Sequence, residues 1–328
     1  MKPTLDVLAI GRAGVDLYSL DYGKPIEEVR RFAKYVGGSP ANTVVGGTRL
    51  GLRCALVSRV GDDELGSFVR DFLAAEGVDV SHLRKDSRRK TGIVFAEISP
   101  GRDGRFLFYR ENAGDLFVTK ADVPKGMVTS ARLLLVTGTG LSREPSFGTN
   151  VRAAMVARGS SRVVVFNLDW RPSLWQADQE ERTRRYREVL KLSNVVIGNA
   201  NEYAAATGQD DVEGAISSIP GGDKKLFVVT RGDEGSEVRS EGRTRKAEGF
   251  RVPLLKGLGG GDGFLAGFLY GYLQGWPPQS AALFGNAVGA IVVMGHACSE
   301  SMPRLSRVVG FLRKNGYAFS HDAGPSKR

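Results

Sequence analysis

Cysteine is nearly absent from this chain. Cys54 and Cys298 are the only two, too few for a disulfide framework, and that usage suits a reducing cytosol. Histidine is as scarce, and the spacing of His82, His296 and His321 supplies no metal-ligand set. Long apolar runs are missing too. "AVGAIVVMGHACSESM" is too short to span a bilayer, and "MKPTLDVLAIGRAG" has a short apolar run broken by Asp6 instead of a signal-peptide pattern. A soluble, cytoplasmic protein with no membrane partner is expected. Two common phosphate-binding fingerprints are also lacking. No GxxxxGK[ST] occurs, and "GRAG" at 11–14 does not have the GxGxxG spacing.

Acidic residues are in deficit, 36 against 46 Lys and Arg, which leaves a formal charge of +10. The excess sits in patches such as "RKDSRRK" (84–90) and "ERTRRYR" (181–187). Basic and aromatic residues are not interleaved and no nucleic-acid motif is present, so these patches read as solvated helix faces and loops. Nucleic acid is not an expected partner. A positive field also draws small anions into a cleft.

What is present is enough apolar content, 41% of 328 residues, for a large core. Strand-like runs alternate with helical ones. "LDVLAI" (5–10), "RCALVSRVG" (53–61), "RLLLVTG" (132–138), "RVVVFNLD" (162–169), "NVVIGN" (194–199) and "KLFVVTRG" (225–232) read as strands. Helices are expected at 39–51, 63–78, 146–158, 177–191, 201–207 and from about 262 onward. Ser39 is the expected cap of the first, with Pro40 in its first turn and Gly51 at its end. "TGIVFAEI" (91–98) and "RFLFYR" (105–110) break the rhythm and read as paired strands across "SPGRDG". Residues 235–252 read as a hairpin and the tail from Asn315 as frayed. The expected fold is α/β, one domain over 1–328, with a largely parallel central sheet flanked by helices on both faces. A small β-sheet lid is expected from about 12–36 and 89–118.

The densest feature is "KGLGGGDGFLAGFLYG", with five glycines in the seven residues 257–263 around Asp262. Two readings fit it. One is a tight turn with a carboxylate capping a helix. The other is a loop whose unobstructed N–H groups converge on an anion at a helix N-terminus, beside a carboxylate able to take a proton from an alcohol. Phosphoryl transfer to a hydroxyl would use the second arrangement, because that chemistry is mostly positioning and charge stabilisation.

Four stretches in order resemble the ribokinase (PfkB) carbohydrate kinase family: "GGSPANTVVGGTRLG" (37–51), "NANE" (199–202), "VVTRGDEG" (228–235) and the glycine loop. The resemblance covers residues 5–312. It implies a ribokinase-like fold, ATP and Mg2+, and a homodimer built through the lid. By position it implies Asp262 as catalytic base and Gly259, Gly260 and Gly261 as the anion hole. It implies sugar contacts from Asp16, Gly38 and Asn42, and an indirect, water-mediated metal role for Asn199 and Glu202. Thr230, Gly232, Gly235 and Asn286 fall at nucleotide-side positions.

Within the family, "GRAGVDLY", "FYREN", "DWRPSLW" and "GHACSESMP" are similar to the 5-dehydro-2-deoxygluconokinase branch of inositol catabolism. The implied reaction is conversion of a keto-deoxy sugar acid, 5-dehydro-2-deoxy-D-gluconate, to its 6-phosphate. A 2-keto-3-deoxygluconate kinase or a fructokinase is the alternative. Arg110 and Arg171 are expected to hold the substrate carboxylate, since arginine binds carboxylates bidentately. Arg12 is a further candidate. The structural alternatives are an edge charge at Arg110 and an ion pair with Asp169 at Arg171. Trp170 and Trp175 read equally as pocket wall or core. Lys256 stands where the family's second signature usually has Asp or Asn. Either it weakens the metal site or it touches phosphate itself. It is also the one feature that favours a non-catalytic sugar or nucleotide sensor on the same fold, against which the retained Asp262 argues.

Overall fold

A computed structural model describes residues 3–100 and 104–327. Residues 101–103 of the turn expected at "SPGRDG", and of the expected lid span, lie outside the described residues. The central sheet has nine strands. Their spatial order is Arg243–Glu248, Gly235–Ser240, Leu226–Thr230, Val195–Asn199, Val163–Asn167, Ala131–Thr137, Leu5–Ile10, Cys54–Gly61 and Leu83–Asp86. Pairing is parallel from Leu226–Thr230 through to Leu83–Asp86. The two remaining strands form an antiparallel hairpin at the opposite edge.

Side chains alternate across the sheet, as a period of two requires. Val7 and Ala9 enter the core on one face, Leu8 and Ile10 the core on the other. The first face is covered by helices Ser39–Leu50, Glu64–Ala75, Gly260–Leu273 and Pro278–Val293, the second by Ser146–Gly159, Gln179–Leu192 and Ala200–Thr207. A separate four-stranded sheet, ordered Phe32–Gly37, Gly14–Ser19, Ile93–Ala96, Phe106–Tyr109, provides the lid. Strand Leu5–Ile10 lies between Cys54–Gly61 and Ala131–Thr137, so the strand order reverses there. That reversal opens a crevice at the carboxyl ends of the strands, and both residues 11–16 and residues 138–141 emerge beside it.

Three local expectations differ from what is observed. Ser39 is not the cap of its helix. Gly38 is, at φ 114, with no side-chain cap bond. A Cβ at Gly38 would collide with the Arg12 carbonyl, so the turn needs glycine, and Ser39 Oγ instead accepts from Asn167 (3.2 Å). Part of the basic stretch 84–90 is strand, Leu83–Asp86, because it sits at the sheet edge where charged side chains are tolerated. The region expected to be helical from about 262 to the 310s is helical, in three helices, the third Leu305–Lys314. The tail is a hairpin, Tyr317–Ser320 with Gly324–Lys327. It is held by Phe319 edge-on to Trp276 and by the Trp276 Nε1 bond to the His321 carbonyl (2.7 Å).

The glycines inside "GFLAGFLYG" are explained by packing. Gly263, Gly267 and Gly271 recur every fourth residue and face Gly289, Gly285 and Ala281 of the next helix. A Cβ at Gly267 would lie 2.9 Å from the Gly285 Cα. The missing side chains let the two backbones approach, which fixes the helix that carries Asp262. Gly267→Ala is therefore expected to lower stability by about 1–3 kcal/mol. Gly310→Ala, in a helix with nothing within 4 Å of the added carbon, should instead raise it by roughly 0.5–1 kcal/mol. Thermal melts of the two variants check the pair. Equal shifts of the same sign would contradict the packing argument.

Candidate active site

The crevice widens into a cavity of about 470 Å3, within the usual range for small-molecule sites. Arg12, Asp16, Gly38 and Asn42 line one part, together with Phe106 and Phe108 of the lid. Asn199, Glu202, Thr230 and the loop residues Gly257, Leu258, Gly259 and Gly261 line another. Asp262 connects the two sets. It lies in the first turn of helix Gly260–Leu273, and Asn42 Nδ2 donates to its Oδ2 (2.7 Å).

The electrostatics of Asp262 follow from this placement. Burial disfavours its charge and Asp169 adds like-charge repulsion, and both raise its pKa. Hydrogen bonds from Asn42 and Ser39 and the charge of Arg171 pull the other way, and the net shift is upward. A carboxylate so raised is a stronger base than a solvated one. The loop before it has its sharp corner at Gly259, the helix cap, at φ 79. A Cβ there would strike Cys298 Sγ. Gly260 faces Val293 instead of the cavity, so its share in anion binding rests on backbone alone.

The candidate arginines part company. Arg12 lines the cavity and is buried, with Nη2 on Asp16 Oδ1 (2.6 Å) and Nε without a hydrogen-bond partner. Burial works against its charge, but Asp16 outweighs that and its pKa is raised. Arg171 also lines the cavity, and its side chain is 47% exposed and 3.4 Å from Asp169. Arg110 does not. It pairs with Asp115, both almost fully buried, and lines a smaller neighbouring cavity of about 130 Å3 with Arg143.

The nucleotide-side positions are spread out. Thr230 lines the cavity, while Gly232 and Gly235 form the turn leading into the edge hairpin. Asn286 donates to the Ala247 and Glu248 carbonyls (3.2 and 2.9 Å), fixing that hairpin to helix Pro278–Val293. Trp175 is core, stacked on Tyr186, and Trp170 packs beside it. His296 makes local bonds to Tyr35 and the Ser19 carbonyl. Both cysteines are free and buried.

Sequence reasoning did not single out Ser39, Asn167, Thr139 or Asp169 as site residues. All four line the cavity, and Thr139 Oγ1 donates to Asp169 Oδ2 (2.9 Å). Asn167 ends its strand and Asp169 follows at φ 36, in the left-handed region that few residues other than glycine adopt. The rule that sites lie beyond strand carboxyl ends was the available signal.

Among the described residues no cluster of three or more His, Cys, Asp or Glu could hold a metal. That donor set does not suit a protein-only cage. It does suit a hydrated magnesium ion carried largely by phosphates, which needs one or two carboxylates. Glu202 is the fitting group. Asn199 and Glu202 form a reciprocal cap, Asn199 N–H donating to Glu202 Oε2 (2.9 Å) and Glu202 N–H to Asn199 Oδ1 (3.0 Å). Burial, with Asp169 adding repulsion, pushes Glu202 up to about 7 against the Asn199 backbone bond.

A carboxyl group raised from its ordinary 4.5 to about 7 favours the fold when protonated. Its contribution is fully present below pH 4.5 and lost as pH rises through 7. Glu202→Gln keeps an acceptor for the Asn199 N–H and removes the charge. Melts across pH should show no difference from the parent near pH 4. By pH 8 the variant should be more stable by on the order of 1 kcal/mol, discounted for partial exposure. A pH-independent difference would argue against the raised carboxyl.

The sequence model for "pfkB family carbohydrate kinase" matches residues 4–305. A 5-dehydro-2-deoxygluconokinase of Shouchella clausii is 37% identical over 316 residues, covering 94% of this chain and 96% of the relative. One of Lacticaseibacillus casei is 35% identical over 319 residues, covering 96% and 97%. The crystal structure of a sugar kinase from Pyrococcus horikoshii in complex with ATP superposes with a TM-score of 0.79 at 28% identity, covering 93% of this chain and 97% of that one. A match over most of the chain, on a fold whose glycine loop and Asp262 meet in one cavity, makes this chain a member of the pfkB family of carbohydrate kinases.

Proposed function

We propose that the chain is an ATP-dependent, magnesium-assisted kinase for a keto-deoxy sugar acid. The leading substrate is 5-dehydro-2-deoxy-D-gluconate, phosphorylated at its 6-hydroxyl in inositol catabolism. The names of the related proteins support the substrate, and the observation that carries the chemistry is Asp262, half-buried, bound by Asn42 and raised in pKa beside the glycine loop.

In this reading the acceptor hydroxyl gives its proton to Asp262 as its oxygen bonds the terminal phosphorus of ATP. The bond from that phosphorus to the bridging oxygen breaks, and ADP leaves. The loop N–H groups meet the charge on the transferring phosphoryl oxygens, where one preorganised donor is worth about 3–4 kcal/mol. Magnesium, held through water by Glu202 and Asn199, would supply charge neutralisation at the phosphates. Phe106 and Phe108 of the lid shield the sugar from water. Arg12 and Arg171 are the better placed anchors for the substrate carboxylate, since Arg110 is already paired with Asp115 and lies outside the main cavity. Lys256 lies behind the loop and does not fill the cavity, so it does not favour a non-catalytic sensor. The remaining parts of the proposal are a single domain over 1–328, a homodimer joined through the lid and a cytoplasmic location.

A panel of sugar acids and neutral sugars with ATP and magnesium tests the substrate class. A preference for neutral hexoses would overturn it. Asp262→Asn should cut turnover by roughly 10²–10⁴-fold with sugar binding kept, and near-normal turnover would remove Asp262 as the base. Arg12→Ala and Arg171→Ala should each weaken use of the acid by about 10–100-fold more than use of a neutral sugar. Arg110→Ala should lower stability with little change in that ratio. A ratio that shifts only in the Arg110 variant would reassign the anchor.

A further inference from the structure

Lys256 opens the glycine loop and is 1% exposed, yet it is not part of the cavity wall. Its ammonium donates to the Leu258 carbonyl (2.6 Å) and lies 3.8 Å from Cys298 Sγ and 6.0 Å from the centre of the Tyr18 ring. Among the described residues no carboxylate comes within 4.0 Å of it. Arg12 and Arg110, both buried arginines, each hold an aspartate. Nor does the thiol serve as counter-ion. Burial pushes Cys298 up to about 11, with Lys256 only partly opposing, so it stays neutral at pH 7. A buried ammonium without a counter-ion works against the fold. An apolar side chain of similar length would fill the same space without that cost.

The hydrogen bond to Leu258 has a geometric consequence. In a trans peptide the carbonyl and the N–H of one unit point in opposite directions. The unit that joins Leu258 to Gly259 has its carbonyl drawn toward Lys256, so the Gly259 N–H points away from it. Leu258 and Gly259 line the cavity and Lys256 does not. Gly259 supplies the left-handed corner at φ 79 that lets the chain turn into the helix there.

We propose that Lys256 is a positioning residue: an internal cation that turns the Leu258–Gly259 amide toward the phosphoryl site and sets a positive charge behind the loop. This rests on the reading of the glycine loop as the phosphoryl site. It makes a neutral replacement good for the fold and bad for the reaction, the opposite of what a packing role requires.

The test uses the full chain and its Lys256→Met and Lys256→Ala variants. Lys256→Met should melt at or above the parent temperature while kcat falls about 10–100-fold with KM for the sugar little changed. In Lys256→Ala, added ammonium or methylammonium should restore part of the lost turnover, and tetramethylammonium, too large for the space, should not. Titration of ADP with and without aluminium fluoride, a mimic of the transferring phosphoryl group, reads the site without turnover. The parent should bind ADP more tightly with the fluoride, and Lys256→Met should lose about 10-fold of that gain at unchanged affinity for ADP alone. Retention of the gain or of kcat in Lys256→Met overturns the inference alone. So does a loss of activity that tracks a lower melting temperature without amine rescue. Absence of the gain in the parent overturns the phosphoryl-site reading, and this inference with it.

Discussion

One hydrogen bond organises the site. Asn42 sits in the helix after the first glycine pair, and its amide holds the Asp262 carboxylate from 220 residues away in sequence. The bond has two effects. It fixes the direction of a carboxylate whose burial and neighbouring Asp169 would otherwise favour protonation. It also ties helix Ser39–Leu50 to helix Gly260–Leu273, which follows the glycine loop. The glycines at 263, 267 and 271 allow that second helix to lie close against its neighbour, so the carboxylate is carried on a rigid element.

Charge around this bond is arranged in pairs that differ in purpose. Arg110 with Asp115 is shut away, and its two charges satisfy one another. Arg12 with Asp16 is buried but borders the cavity and keeps one N–H without a partner, so it is oriented and still able to donate. Arg171 is half exposed and feels Asp169, Glu202 and Asp262 together, which holds its own charge firmly in place. Burial is the main cause that raises Glu202 and Asp262, and repulsion from Asp169 adds to it in both.

Much of the fold was legible from the chain because parallel strands buried on both faces leave continuous apolar runs. Strands Leu5–Ile10, Cys54–Gly61, Ala131–Thr137, Val195–Asn199 and Leu226–Thr230 fall where those runs predict them. The edge strand Leu83–Asp86 and the tail hairpin were not legible, since one is charged and the other draws its order from Trp276 in a distant helix. Within the site, Asp262 and the glycine loop stood out by composition. Asp169 and Ser39 did not, because a polar residue after a strand looks the same whether it faces water or a cavity.

The sequence by itself determined the family, the parallel α/β architecture and the meeting of bare backbone with one carboxylate, because apolar periodicity and glycine spacing are local properties. Tertiary structure alone decided which charges are available. Arg110 and Arg12 look alike in the chain, and only the position of Asp115 against that of Asp16 seals one and leaves the other at the cavity. The same holds for Lys256, whose ammonium is set behind the loop by a carbonyl two residues on and a thiol from another part of the fold. Coulomb energies and desolvation depend on distance and surroundings in three dimensions, and neither is written in the order of residues.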